Sequence, residues 1–169
     1  MIKLLKQESE KFEYCEIWEN EVENVICINR GTVGTKGTVD IYEIPEGQNA
    51  GAIMRQMSQE VQKNGYCPMN GSMLKLVMIR YDIAGEDISG ALERRHIIED
   101  LMDECLGLTG NGLCDGGNIS RDCMSIACMV VDLDSAVKTM VEELKNNGFL
   151  EGATIIHYYG EQNRKVLYP

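Results

Sequence analysis

Phe12, Tyr14 and Ile17 or Trp18 alternate with acidic residues, a two-residue period that predicts a strand over 12–18. Val25-Ile-Cys-Ile28 resumes the pattern beyond the polar Glu19-Asn-Glu-Val-Glu-Asn24 turn, so the two segments predict a hairpin. A glycine-punctuated stretch, Arg30-Gly-Thr-Val-Gly-Thr-Lys-Gly37, leads to a third strand over 38–44, which Pro45 stops. The period then becomes helical from Asn49 to Lys63, with Ile53, Met54, Met57 and Val61 on one stripe and Asn64-Gly65 as the stop.

Cys67-Pro-Met-Asn-Gly-Ser72 combines Pro, Gly and small polar residues between two periodic regions, and predicts a boundary between domains 1–67 and 73–169. Beyond it lies an apolar strand over 74–83. Ser89 is placed to cap a helix over 90–106 whose stripe is Ile97, Ile98, Leu101, Met102 and Cys105, ended by Gly107 and Gly110. Strands over 113–120 and 125–131 join near Arg121-Asp122. Asp132 or Asp134 caps a second helix with the stripe Val137, Met140, Val141 and Leu144, closed by Asn147-Gly148. A strand over 153–159 and a tail strand over 165–168 complete the chain. The fold class expected is α+β: a small antiparallel sheet with a helix, followed by a βαββαβ unit of the ferredoxin-like kind, each with its own core.

Composition narrows the function. At 169 residues and 44% hydrophobic, the chain has enough apolar material for one ordinary core or two small ones, which excludes a wholly disordered protein. No apolar run reaches the ~18–20 residues a membrane helix needs, and Met1 to Glu10 lacks the apolar stretch of a signal peptide, so a cytoplasmic location with no membrane partner is expected. The net charge is −11; residues 1–68 carry 7 basic and 11 acidic side chains, residues 69–169 carry 9 and 16. Nucleic-acid binding draws on Lys and Arg at phosphates, so this balance disfavours a nucleic acid and favours a protein partner, a basic one in particular. Seven cysteines without a CxxC pair predict reduced thiols, and two histidines far apart, His96 and His157, give no reason to expect a metal or cofactor.

The stretch Arg30 to Gly37, with Tyr14 to Trp18 before it and a third strand and a helix ending in Asn64-Gly65-Tyr66 after it, resembles a WGR domain over residues 10–67. That small module, named for its Trp-Gly-Arg signature, occurs in poly(ADP-ribose) polymerases and bacterial proteins. Gly31 is kept, whereas Arg30 stands at the position of the signature Trp and Thr32 at that of the signature Arg. In the polymerases this region engages DNA and neighbouring domains, so the resemblance implies a nucleic-acid or nucleotide-binding module as one reading. The two departures remove a ring that could stack and displace a guanidinium that could pair with phosphate.

Two glycine-rich segments supply the candidate binding residues. Gly31, Gly34 and Gly37 permit a tight turn or close backbone approach, and the loop they shape would present Arg30, Thr32, Thr35 and Lys36. Leu108-Thr-Gly-Asn-Gly-Leu-Cys-Asp-Gly-Gly-Asn118 offers Asn111, Asp115 and Asn118. It lacks the GxxxxGK[ST] pattern of a phosphate loop and the alternating carboxylates of a calcium loop. Cys114, Cys123 and Cys128 would act as nucleophiles only beside a base or a helix N-terminus. Glu99-Asp100 and Asp103-Glu104 form an acidic helix face that would suit a basic partner. The expectation is a non-catalytic interaction protein that binds another protein through the Arg30–Gly37 loop, the acidic face, or both, with a bacterial regulatory or toxin-neutralising role by analogy. The alternatives are the nucleic-acid or nucleotide binder and a cysteine-dependent enzyme.

Overall fold

In the computed structural model, which describes residues 1–160 and 163–169, the chain is α+β, with two antiparallel sheets of five strands each and three helices among those residues. The first sheet begins earlier than the alternating pattern indicates. Strand β1 (Ile2–Glu8) pairs in full register with β2 (Lys11–Asn20), which forms the expected hairpin with β3 (Val25–Thr32), and β3 pairs with β4 (Thr38–Glu43). Ile2, Leu4, Cys15, Ile17, Ile26 and Ile28 share one face of this sheet. Helix α1 (Ala50–Gln62) lays Ile53, Met54, Met57 and Val61 on that face. Asn49 caps α1, accepting the Ala52 amide at 3.0 Å.

The segment expected as a bare boundary is in part structured. Residues Cys67–Pro68 form a short strand, β5, on the free edge of β1, giving the sheet order β4-β3-β2-β1-β5, and Gly71–Met73 follows as one 3₁₀ turn.

The second sheet has the order β10-β9-β6-β8-β7, with β6 (Lys75–Asp82) and β8 (Cys123–Val130) inside. Its neighbours are β7 (Gly112–Ile119), β9 (Thr154–Tyr158) and the tail strand β10 (Arg164–Tyr168). Two helices, α2 (Ile88–Leu108) and α3 (Leu133–Asn146), follow β6 and β8, so the order through β9 is βαββαβ with the sheet antiparallel throughout. Val77, Ile79, Met124, Ile126, Cys128, Val130 and Ile155 face Ile98, Met102, Met140 and Leu144 of the helices, all without solvent exposure. Each such side chain contributes ~1.5–3 kcal/mol by leaving water, so this cluster is the main core. Leu76, Met78 and Arg80, which alternate with the core residues of β6, point away from the helices.

Two local expectations are corrected. Asp87, not Ser89, caps α2 by accepting the Gly90 amide at 3.0 Å, because Asp87 has the extended backbone of a cap (φ −71°, ψ 125°) while Ser89 lies inside the first turn. Ile97 is 53% exposed: the buried stripe of α2 runs through Ala91, Ile98, Met102 and Cys105, and Ile97 falls beside it. Of the two cap candidates for α3, Asp132 accepts the Ser135 amide at 2.9 Å.

Candidate functional site

The face of the first sheet opposite α1 is covered by the second half of the chain. Leu5, Tyr14, Val33 and Val131 form a small third core there, with Phe12, Met69, Met73 and Leu74 packed around it. Tyr14 is the pin of this seam. Its ring is 1% exposed, and its hydroxyl lies 3.2 Å from both the Thr35 and the Leu108 carbonyls, one from each glycine-rich segment, so its single proton serves either acceptor. Burial pushes the Tyr14 phenol up from its ordinary value, which keeps it a donor. The Gly34 amide donates to the Thr109 carbonyl at 2.9 Å, so the two segments are also joined through their backbones.

Glycine is required on both sides. Gly34 holds φ +87° and a Cβ there would overlap the Ser135 side chain; Gly110 holds φ +58° and a Cβ there would overlap the Tyr14 ring. The segments that looked like two separate presenting loops are thus two sides of one close approach.

Asn111, expected to face a ligand, is fully buried. Its Nδ2 donates to the Asp132 carbonyl at 3.1 Å and to Ser135 Oγ at 3.0 Å, and its Oδ1 accepts the Asp132 amide at 2.8 Å. Those bonds tie the end of α2 to the start of α3, which makes Asn111 an internal brace rather than a contact residue. Burial raises the Asp132 carboxyl, but the Ser135 hydroxyl and amide outweigh it and leave the carboxyl below its ordinary value.

The other expected residues are dispersed. Arg30 lies within β3 opposite Cys15, on the α1 side of the sheet, and pairs with Asp40 at 2.6 Å. Thr32 ends β3 half-buried, and its carbonyl accepts both the hydroxyl (2.7 Å) and the amide (3.0 Å) of Thr35, closing the turn. Thr35 and Lys36 are exposed at its tip. Asp115 and Asn118 are exposed on β7, an edge strand of the second sheet.

Two grooves flank the tip. One, of about 510 Å³, is lined by Lys36, Leu101, Glu104, Leu108, Glu142 and Glu143 among others; the second, of about 410 Å³, includes Thr35, Lys138 and Glu142 in its walls. Gly34, Thr139 and Glu142 belong to both, so they form one cleft along the seam with Thr35 and Lys36 projecting into its middle. Three carboxylates against one ammonium give the larger groove a negative field over an apolar floor that includes Leu108, itself 44% exposed. Cys105, at the bottom of that groove, has its thiol pushed up to about 12 by burial and, secondarily, by the Glu143 and Glu104 carboxylates. This cleft, assembled from the end of β3, α2 and α3, is not legible in the sequence as a unit, although Thr32, Thr35, Lys36 and Glu104 in its walls are among the candidates the sequence offers.

The acidic helix face divides. Glu99 pairs with Arg95 at 3.3 Å, and Asp103 accepts the Cys114 amide at 3.0 Å, so both serve β7; Glu104 turns to the cleft. Of the two histidines, His157 bonds the Leu76 carbonyl through Nδ1 at 3.0 Å, and His96 lies 2.9 Å from the Arg95 guanidinium. His157 shares a cross-strand row with Cys128 but Val77 stands between them, two strand spacings or roughly 10 Å.

Comparison of the chain with protein-family models, curated proteins and solved structures finds no match.

Proposed function

We propose that this is a non-catalytic binding protein that holds a basic segment of another protein in the cleft between α2, α3 and the Thr35–Lys36 tip. The observation that carries the reading is the larger groove, whose rim places Glu104, Glu142 and Glu143 around the apolar Leu101 and Leu108. Carboxylates on a rim steer a cationic segment and fix its register, while the floor takes apolar side chains and supplies the desolvation. A chain of net charge −11 extends that attraction beyond the groove. The WGR-like reading of residues 10–67 belongs to this proposal as the wall that carries the tip. A regulatory or toxin-neutralising protein, whose partner is itself basic, is the biological setting this charge pattern suits.

Nucleic acid fits the same surfaces less well. Arg30 is already paired with Asp40, and Lys36 stands among carboxylates, so neither cation is free to neutralise phosphate without an opposing charge beside it.

The test uses a synthetic Lys-rich peptide with interspersed leucines, titrated into the isotopically labelled protein. Amides of Lys36, Leu108 and Glu142 should shift, and Glu104→Gln with Glu142→Gln and Glu143→Gln should weaken binding about tenfold or more, one such step being ~1.4 kcal/mol. Shifts confined to other surfaces, or unchanged affinity in the triple variant, would reject the cleft as the site.

A further inference from the structure

The thiols of Cys114 and Cys128 meet across the β7–β8 ladder. The two residues are register partners, immediately before the bulge that shifts the pairing between Cys114 and Gly117. Opposed residues of a ladder project from the same face, so the two side chains are neighbours, with the Cys114 thiol donating to the Ala127 carbonyl at 3.6 Å. Directly opposed residues of an antiparallel pair have Cα atoms about 4.5–5.5 Å apart, inside the ~4.4–6.8 Å that a disulfide spans. Joining these sulfurs therefore calls for side-chain rotation and little backbone movement.

Their surroundings differ in a way that assigns each a role. Cys128 is fully buried in the main core, whereas Cys114 is half-buried on β7, at the sheet edge. Beside it, Gly116 opens onto free space: a Cβ there would meet nothing within 4 Å. The strand is nevertheless held, since Asp103 accepts the Cys114 amide at 3.0 Å and Arg95 donates to the Gly117 carbonyl at 3.0 Å. The neighbouring Cys128 thiol holds the Cys114 thiol below its ordinary value, against burial and the carboxylates of Glu99 and Asp103, while Cys114 in turn, with burial next, pushes Cys128 well above its own. A small molecule arriving from the edge reaches Cys114 first and finds Cys128 behind it.

We propose that Cys114 and Cys128 form a dithiol exchange site for low-molecular-weight disulfides, with Cys114 as the attacking sulfur and Cys128 as the resolving one. The Cys114 thiolate attacks one sulfur of the disulfide R–S–S–R, a Cys114–S–S–R bond forms, and R–S⁻ leaves. Cys128 then attacks the Cys114 sulfur, giving its proton to a departing thiolate, and the Cys114–Cys128 disulfide forms as the second R–S⁻ is expelled. The two protein thiols are oxidised and one R–S–S–R is reduced to two R–SH. The product fastens β7 to β8 beneath α2. This site is separate from the cleft, and neither proposal depends on the other.

Oxidised glutathione is the probe. The folded full-length protein is incubated with it, quenched in acid, alkylated under denaturing conditions and mapped by peptide mass spectrometry. Alkylation of Cys114 and Cys128 should be lost together, a peptide pair linked through them should appear, and dithiothreitol should restore both thiols. Cys128→Ser should instead accumulate glutathione on Cys114, and Cys114→Ser should leave Cys128 unmodified. Should Cys128→Ser fold poorly, Cys128→Ala takes its place, and the wild-type map decides even without either. Adducts on exposed Cys67 or on Cys123 with Cys114 and Cys128 still alkylated would overturn the proposal, as would a glutathione adduct on Cys114 that persists equally with and without Cys128.

Discussion

Gly110 rests against the ring of Tyr14 so closely that a Cβ on it would overlap the aromatic carbons. This contact joins residues 96 positions apart and brings a backbone turn at the end of α2 onto the centre of the first sheet. It explains why that turn is a glycine with φ +58°, a conformation that costs a residue bearing a Cβ ~1 kcal/mol. Gly110→Ala adds overpacking at ~1–3 kcal/mol, so a total loss of about 2–4 kcal/mol is expected in urea denaturation. A loss under ~0.5 kcal/mol would mean that the seam adapts and that Tyr14 is not its pin.

Asn111 makes the neighbouring prediction. Asn111→Ala leaves the Asp132 amide without its partner inside the protein, while the Asp132 carbonyl keeps the Ala136 amide at 3.1 Å, and a stranded group costs ~1–3 kcal/mol. A loss of about 1–3 kcal/mol is expected, and Asn111→Asp should do no better, because a carboxylate cannot donate to the Asp132 carbonyl or to Ser135 Oγ. The Asp132 carboxyl, lowered in the folded state, contributes stability that is present above its unfolded value of 3.8 and lost as pH falls through its folded value. Acid titration of Asp132→Asn against wild type should show a shallower decline below pH 4.

How far such features can be read in the sequence depends on the range of the interactions that decide them. Helix α3 was legible because its stripe and its cap are local, and so was the βαββαβ order. Strand β1 was not: Leu4 packs under α1 while adjacent Leu5 packs in the seam, so a strand buried on both faces shows no alternation. Asn111 reads as loop because a polar residue among glycines usually is one, yet its partners are 21 and 24 residues away. The cleft was illegible for the same reason, since Lys36, Glu104 and Glu142 meet only once Tyr14 and Gly110 have docked the halves.

The tip and the strand cation can be tested together. Arg30→Ala with Lys36→Ala removes a half-exposed ion pair and an exposed lysine, changes that cost up to ~1 kcal/mol and ~0.5 kcal/mol. A melting shift of only a few degrees is expected. Affinity for a Lys-rich peptide should rise severalfold at low salt, because Lys36 is the cation among the larger groove's charges. A weaker complex would show instead that the tip itself is what the partner grips.

Stability should also decline in alkali, with Cys105 as one source. Its side chain lies on the buried face of α2 at 6% exposure, and its thiol is pushed from 9.0 to about 12, chiefly by burial. The folded state thus resists loss of this proton more than the unfolded state does. The contribution is complete below pH 9, shrinks as the unfolded thiol ionises above that, and is gone once pH passes about 12. Tyr81, 5% exposed and raised to about 12 by burial from 10.0, adds a second decline beginning one pH step higher. Denaturation midpoints measured from pH 8 to 11 should fall for wild type, with Cys105 contributing up to ~1.4 kcal/mol per pH step. Cys105→Ala should begin less stable by ~1 kcal/mol for the lost packing but decline less steeply than wild type between pH 9 and 10, where the raised thiols of Cys128 and Cys15 still respond. If the variant instead tracks the wild-type slope through that interval, the buried thiol is not the responding group.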